Sequence, residues 1–188
     1  DKFMLFQEKG VEGRRQNLTD QMKATEGQLT LAQALAAGIE VVNNQDGFFI
    51  MTEGGKIDTY AHSNNLEGVI FETLGLEAAV NVAYQFYLQH PDETLIVVTA
   101  DHETGGLALG KSGYSYDLSV VKEIASGNTA VLEAGTPSEQ AQIGWTTFSH
   151  CGGNVPVFAV GVGSEQFAGR MNNIDIPKKI CSIMGVQF

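Results

Sequence analysis

Leu95-Ile96-Val97-Val98-Thr99-Ala100-Asp101-His102-Glu103-Thr104-Gly105-Gly106 is the stretch on which the fold turns. Four apolar, mostly β-branched residues form a short buried strand, and the polar and glycine residues behind them stop it. The 25 residues from Asn65 to Gln89 repeat Leu66, Val69, Ile70, Leu74, Leu76, Ala79, Val80, Ala83, Phe86 and Tyr87 at a helical period, and His90-Pro91 ends them. Phe48 to Met51 precedes that helix as another short apolar run. Strand, helix and strand in this order read as a parallel crossover, right-handed by the usual rule. Phe3 to Phe6 and Val155 to Val160 are two further strand-like runs. Helices are expected over Leu31 to Val42, Leu118 to Ala125 and Ile174 to Met184, the last with Asp175 and Pro177 in its first turn. The expected fold class is therefore α/β, a mostly parallel sheet flanked by helices. Leu107 to Ile143 reads as an excursion from that sheet.

The whole composition agrees with a folded globular chain. It has 188 residues, 43% hydrophobic and 18% charged, with a mean hydropathy of −0.04. Twenty-two acidic against eleven basic residues leave a net charge of −11, which argues against nucleic acid as a partner. No transmembrane segment is read from the sequence. Cys151 and Cys181 permit one disulfide at most, and no Cys-x-x-C spacing suggests a thiolate site.

Chemistry concentrates around the histidines. Of the four, His62, His102 and His150 each follow an apolar run, and the ends of strands in an open parallel sheet share one ligand-binding rim. Asp58 and His62 stand four residues apart, so both lie on one face of a helical turn. Asp101 adjoins His102, and Glu53 lies just upstream of Asp58. Mixed Asp and His donors suit zinc, and an all-oxygen donor such as Glu53 suits magnesium. His90, at a helix end before proline, reads as structural. Ser63, Thr104, Ser149 and Ser164 read as turn or helix caps.

Several of these segments resemble alkaline phosphatases: Thr99-Ala100-Asp101-His102-Glu103-Thr104-Gly105-Gly106, Glu53-Gly54-Gly55-Lys56-Ile57-Asp58 with Ala61-His62, and Trp145-Thr146-Thr147-Phe148-Ser149-His150. Val155-Pro156-Val157-Phe158-Ala159, Phe167-Ala168-Gly169 and Asn172-Asn173-Ile174-Asp175-Ile176 extend the likeness over essentially the whole chain. The resemblance implies a metal-dependent phosphomonoester hydrolase. Asp58, His62 and His150 would hold one zinc, Asp101 and His102 would furnish ligands to a second, and Glu53 would furnish one to a magnesium. Two cations roughly 4 Å apart clamp the attacking and leaving oxygens of a phosphoryl displacement. The resemblance further implies a homodimer and a periplasmic or extracellular location.

The family pattern also shows what is missing. Its nucleophile is a serine following an aspartate, and these 188 residues hold no Asp-Ser pair. Arg14, Arg15 and Arg170 do not match the arginine that grips phosphate. The chain thus reads as residues 1–188 of a C-terminal portion of an alkaline phosphatase-like domain, with the excursion at about 107–143. No catalytic residue is expected within it, the nucleophile lies upstream, and the isolated chain is expected to be inactive. Two other readings remain open at this level: another enzyme of the superfamily, such as a phosphodiesterase or phosphoglycerate mutase relative, or a non-catalytic zinc-binding module. Glu77 and Cys151 depart from the family pattern, the latter placing a sulfur beside His150.

Overall fold

A computed structural model describes residues 28–110, 116–128 and 137–188. The helices are α1 (Leu31–Val42), α2 (Lys56–Ala61), α3 (Leu66–Gln89), α4 (Leu118–Ala125), α5 (Pro137–Gln140) and α6 (Asp175–Ile183). The strands are β1 (Leu95–Val98), β2 (Glu103–Thr104), β3 (Ala108–Leu109), β4 (Ile143–Gly144), β5 (His150–Cys151) and β6 (Phe158–Gly161), and a 3₁₀ turn covers Ser164–Phe167. The described residues group into two compact units. One holds those up to Ala79 together with Thr104–Cys151, and the other holds Val80–Glu103 with Gly152–Phe188.

Local chemistry sets the helix ends. Thr30 caps α1 reciprocally: its hydroxyl accepts from Gln33 N at 3.2 Å, and Gln33 Oε1 accepts from Thr30 N at 2.9 Å. Asn65 caps α3 by accepting from Gly68 N at 2.9 Å. Gly68 also lets α2 approach, because a Cβ there would overlap the Tyr60 ring. Asp117 caps α4 through Ser119, whose hydroxyl and backbone N–H hold its carboxyl below the usual carboxylate value. His90 closes α3 as a structural residue, its Nδ1 2.9 Å from Glu93 Oε1 and its ring stacked on Phe86 at 4.5 Å.

In the first unit the core joins α3 to the excursion. Leu66, Val120, Ile124, Ala141 and Ile143 are buried together, with Ile70, Phe71, Val121 and Trp145 packed against them. The excursion leaves and returns through paired strands, with Ala108 opposite Gly144 and Leu109 opposite Ile143. Its ends are therefore tied together.

In the second unit β1 and β6 pair, with Leu95 opposite Gly161 and Val98 opposite Phe158. That ladder is antiparallel, as is the β3–β4 ladder, so the expected parallel sheet is corrected: none is seen among the described residues. A four-residue apolar run pairs in either direction, and the connection decides which. The loops at 99–103 and 152–157 meet at one end of the ladder, where Thr99 Oγ1 donates to Pro156 O at 3.1 Å. The chain therefore enters β6 where it left β1, and must run back. Phe48 to Met51 forms no strand, so α3 does not complete the expected strand–helix–strand crossover. β6 begins at Phe158 rather than Val155, after Pro156, which has no N–H for a ladder. Phe3 to Phe6 lies outside the described residues.

Candidate metal centre

Three of the expected ligands converge inside the first unit. α2 is a single six-residue helix carrying Asp58 in its first turn, and His62 stands at its C-cap. His150 opens β5. The one-turn spacing brings His62 Nε2 to 3.5 Å from Asp58 Oδ1. His150 Nε2 lies 3.7 Å from the same oxygen and 3.2 Å from His62 Nε2. The three side chains are 42%, 38% and 52% exposed for Asp58, His62 and His150. The triangle thus opens to solvent on one side.

These separations fit a metal. Donors on a tetrahedral zinc with bonds of about 2.0–2.1 Å stand about 3.3 Å apart. Two imidazole nitrogens and one carboxylate oxygen, 3.2 to 3.7 Å from one another, match that spacing and the donor chemistry. The tautomer agrees. His62 Nδ1 lies 2.7 Å from Phe148 O, a carbonyl that can only accept, so the proton is assigned to Nδ1 and the lone pair at Nε2 faces the triangle.

Around the triangle the segment from Trp145 to His150 is tied to Gly105. Gly105 N donates to Ser149 O at 3.0 Å, and its carbonyl accepts from Thr146 N and Thr147 N at 3.0 and 3.2 Å. Gly105 has φ of +88°, a conformation natural to glycine. Thr104 next to it does more than cap a turn: its hydroxyl donates to Asp58 Oδ1 at 2.7 Å. The sequence reading missed this contact, which spans 46 residues and leaves no local pattern. Ser63 behaves as expected, its hydroxyl donating to Tyr60 O at 3.0 Å. Thr104→Val removes the hydroxyl and keeps the shape. It is expected to weaken zinc binding roughly 10–100-fold, the usual effect of losing an outer hydrogen-bond partner. Competition against a chromophoric chelator measures this, and equal affinities for the two proteins would refute it.

Glu53, Asp101 and His102 are carried by other segments. Glu53 is exposed in the loop ahead of α2. That loop lies close to α3, since a Cβ on Gly54 would stand 3.2 Å from Leu76 Cβ. In the second unit Asp101 and His102 follow β1, with His102 Nε2 3.3 Å from Asp101 Oδ2. Cys151 is half-buried in β5, its sulfur 3.3 Å from where a Cβ on Gly106 would sit. No disulfide is formed among the described residues.

The model of the family described as alkaline phosphatase matches residues 11–133 and 114–186. The chain is similar to alkaline phosphatase 3 of Bacillus subtilis, 31% identical over 185 residues, covering 73% of this chain and 40% of that protein. It is also similar to streptomycin-6-phosphate phosphatase of Streptomyces griseus, 32% identical over 143 residues, covering 75% of this chain and 30% of that protein. Among solved structures, a cold-active alkaline phosphatase from a psychrophilic Shewanella superposes with a TM-score of 0.77 at 28% identity, covering 90% of this chain and 53% of that one. Alkaline phosphatase from the Antarctic bacterium TAB5 superposes with a TM-score of 0.65 at 30% identity, covering 84% and 41%; a variant of it has been solved with magnesium bound. The chain thus spans about half or less of the length of each of these proteins.

Proposed function

The chain belongs to the alkaline phosphatase family, and on that premise we propose that it supplies part of the metal centre of a phosphomonoester hydrolase. The observation that carries this reading is the Asp58–His62–His150 triangle, with its donor separations of 3.2 to 3.7 Å. These three residues hold one zinc. Asp101 and His102 furnish ligands to a second, and Glu53 furnishes one to a magnesium. Bound there, the metals supply Lewis-acid stabilisation of the charge that develops on phosphoryl and leaving-group oxygens.

The chain's own side chains orient and hold. Thr104 fixes the Asp58 carboxylate, and the Phe148 carbonyl keeps the proton of His62 away from the triangle. The solvent-open side leaves room for a substrate oxygen, as a catalytic rather than a structural metal site requires. The serine nucleophile, the aspartate before it and the phosphate-gripping arginine come from sequence outside these 188 residues. The complete protein acts as a homodimer in the periplasm or outside the cell. No described helix is long and apolar enough to cross a membrane.

The test pairs metal content with turnover. Purified chain is expected to bind zinc by elemental analysis and to hydrolyse an aryl phosphate no faster than a metal-only control. Brisk turnover by the homogeneous chain would show that its own residues complete the reaction, contrary to the proposed division. An absence of zinc binding would remove the basis of the metal assignment.

A further inference from the structure

Asn64 touches none of the three donors, yet it joins the two segments that carry them. It follows His62 by two residues and has φ of +53°, a left-handed conformation that asparagine adopts more readily than most residues. With its amide nitrogen turned toward two carbonyls, it donates to Ala61 O at 3.1 Å and to Thr147 O at 2.9 Å. The opposite orientation would set the amide oxygen against both carbonyl oxygens, so the partners decide the assignment. Ala61 closes α2, beside His62. Thr147 lies three residues before His150, in the segment that also presents the Phe148 carbonyl to His62.

We propose that Asn64 is a positioning residue of the metal centre, clamping the end of α2 to the 145–150 segment so that His62 and His150 stand at donor spacing before a metal arrives. The proposal rests on the metal-centre reading above. Its physical reason is that both segments are short: α2 has six residues and β5 two, so neither has length enough to set its own position. Two other bonds converge here, His62 Nδ1 to Phe148 O and Thr104 Oγ1 to Asp58 Oδ1, but each is made to a ligand and is changed when that ligand is changed. Asn64 alone of the three bonds backbone to backbone-bearing segments without touching a donor. Its removal therefore separates preorganisation from coordination.

Asn64→Gly keeps a backbone that accepts positive φ and deletes the amide. Asn64→Asp keeps the shape but turns acceptors toward both carbonyls. In each, zinc affinity measured by chelator competition is expected to fall about 10-fold or more. Thermal unfolding of the metal-free Asn64→Gly protein should stay close to that of the wild type, a split that a general packing role would not produce. In the wild type, the Asn64 side-chain amide protons should exchange slowly with solvent by NMR, and this reading does not depend on any variant folding. Wild-type zinc affinity in both variants overturns the clamp and leaves the metal centre standing, as does rapid exchange of those amide protons. Failure of the wild type itself to bind zinc overturns the metal centre and the clamp with it.

Discussion

His150→Ala is expected to abolish tight zinc binding by the Asp58–His62–His150 triangle, an effect larger than the roughly 10–100-fold attached to outer partners. The argument is geometric. Each corner of the triangle supplies one donor, and His150 Nε2 is the corner that comes from 88 residues away from His62. Without it, Asp58 and His62 remain as an exposed pair on one helical turn, 3.5 Å apart, an arrangement common on helix surfaces without any metal. His90→Ala is the matched control, because that ring is engaged by Glu93 and Phe86 at the end of α3. It should leave zinc content unchanged. Elemental analysis and chelator competition on the three proteins decide the matter, and equal zinc affinity in His150→Ala and the wild type would remove His150 from the site.

Gly105→Ala is expected to be strongly damaging, lowering stability by on the order of 3 kcal/mol. Two costs combine. The φ of +88° disfavours any residue with a Cβ by about 1–2 kcal/mol, and forcing a methyl into a packed site adds about 1–3 kcal/mol. The site is packed: the new Cβ would stand 2.7 and 2.8 Å from Trp145 Cε3 and Cζ3 and 3.1 Å from Ala61 O. Trp145 has little room to withdraw, since its Nε1 donates to Ser138 Oγ at 3.0 Å and its ring packs on the buried cluster around Leu66 and Ile143. Displacing residue 105 also pulls on Ser149, Thr146 and Thr147, so zinc affinity should fall together with stability. Gly152→Ala offers the contrast, for nothing lies within 4 Å of a Cβ there. Denaturant unfolding of the two variants should separate them clearly, and a Gly105→Ala midpoint equal to that of the wild type would refute the steric account.

Much of this was legible residue by residue. The helices α1, α3, α4 and α6 lie within about a residue of where periodicity and caps place them, because Thr30, Asn65, Asp117 and His90 act on backbone groups a few positions away. The proximity of Asp58, His62 and His150 was legible in part through the Asp58–His62 spacing, a local signal, and in part through likeness to a known family. The strands were less so. Leu95 to Val98 carries no information about the direction of its neighbour, and Phe48 to Met51 is as apolar as a strand without being one.

Sequence alone determined the donor types, the four-residue step from Asp58 to His62, the helical segments and the acidic, globular character of the chain. These follow from composition and from interactions within one or two helical turns. Only the tertiary structure decided the antiparallel return of β6 on β1, the 3.2 Å approach of His150 Nε2 to His62 Nε2, and the bonds from Thr104 to Asp58 and from Asn64 to Thr147. Each of those joins positions 46 to 88 residues apart. No local pattern encodes such a pairing, because the packing of the intervening chain sets which groups meet.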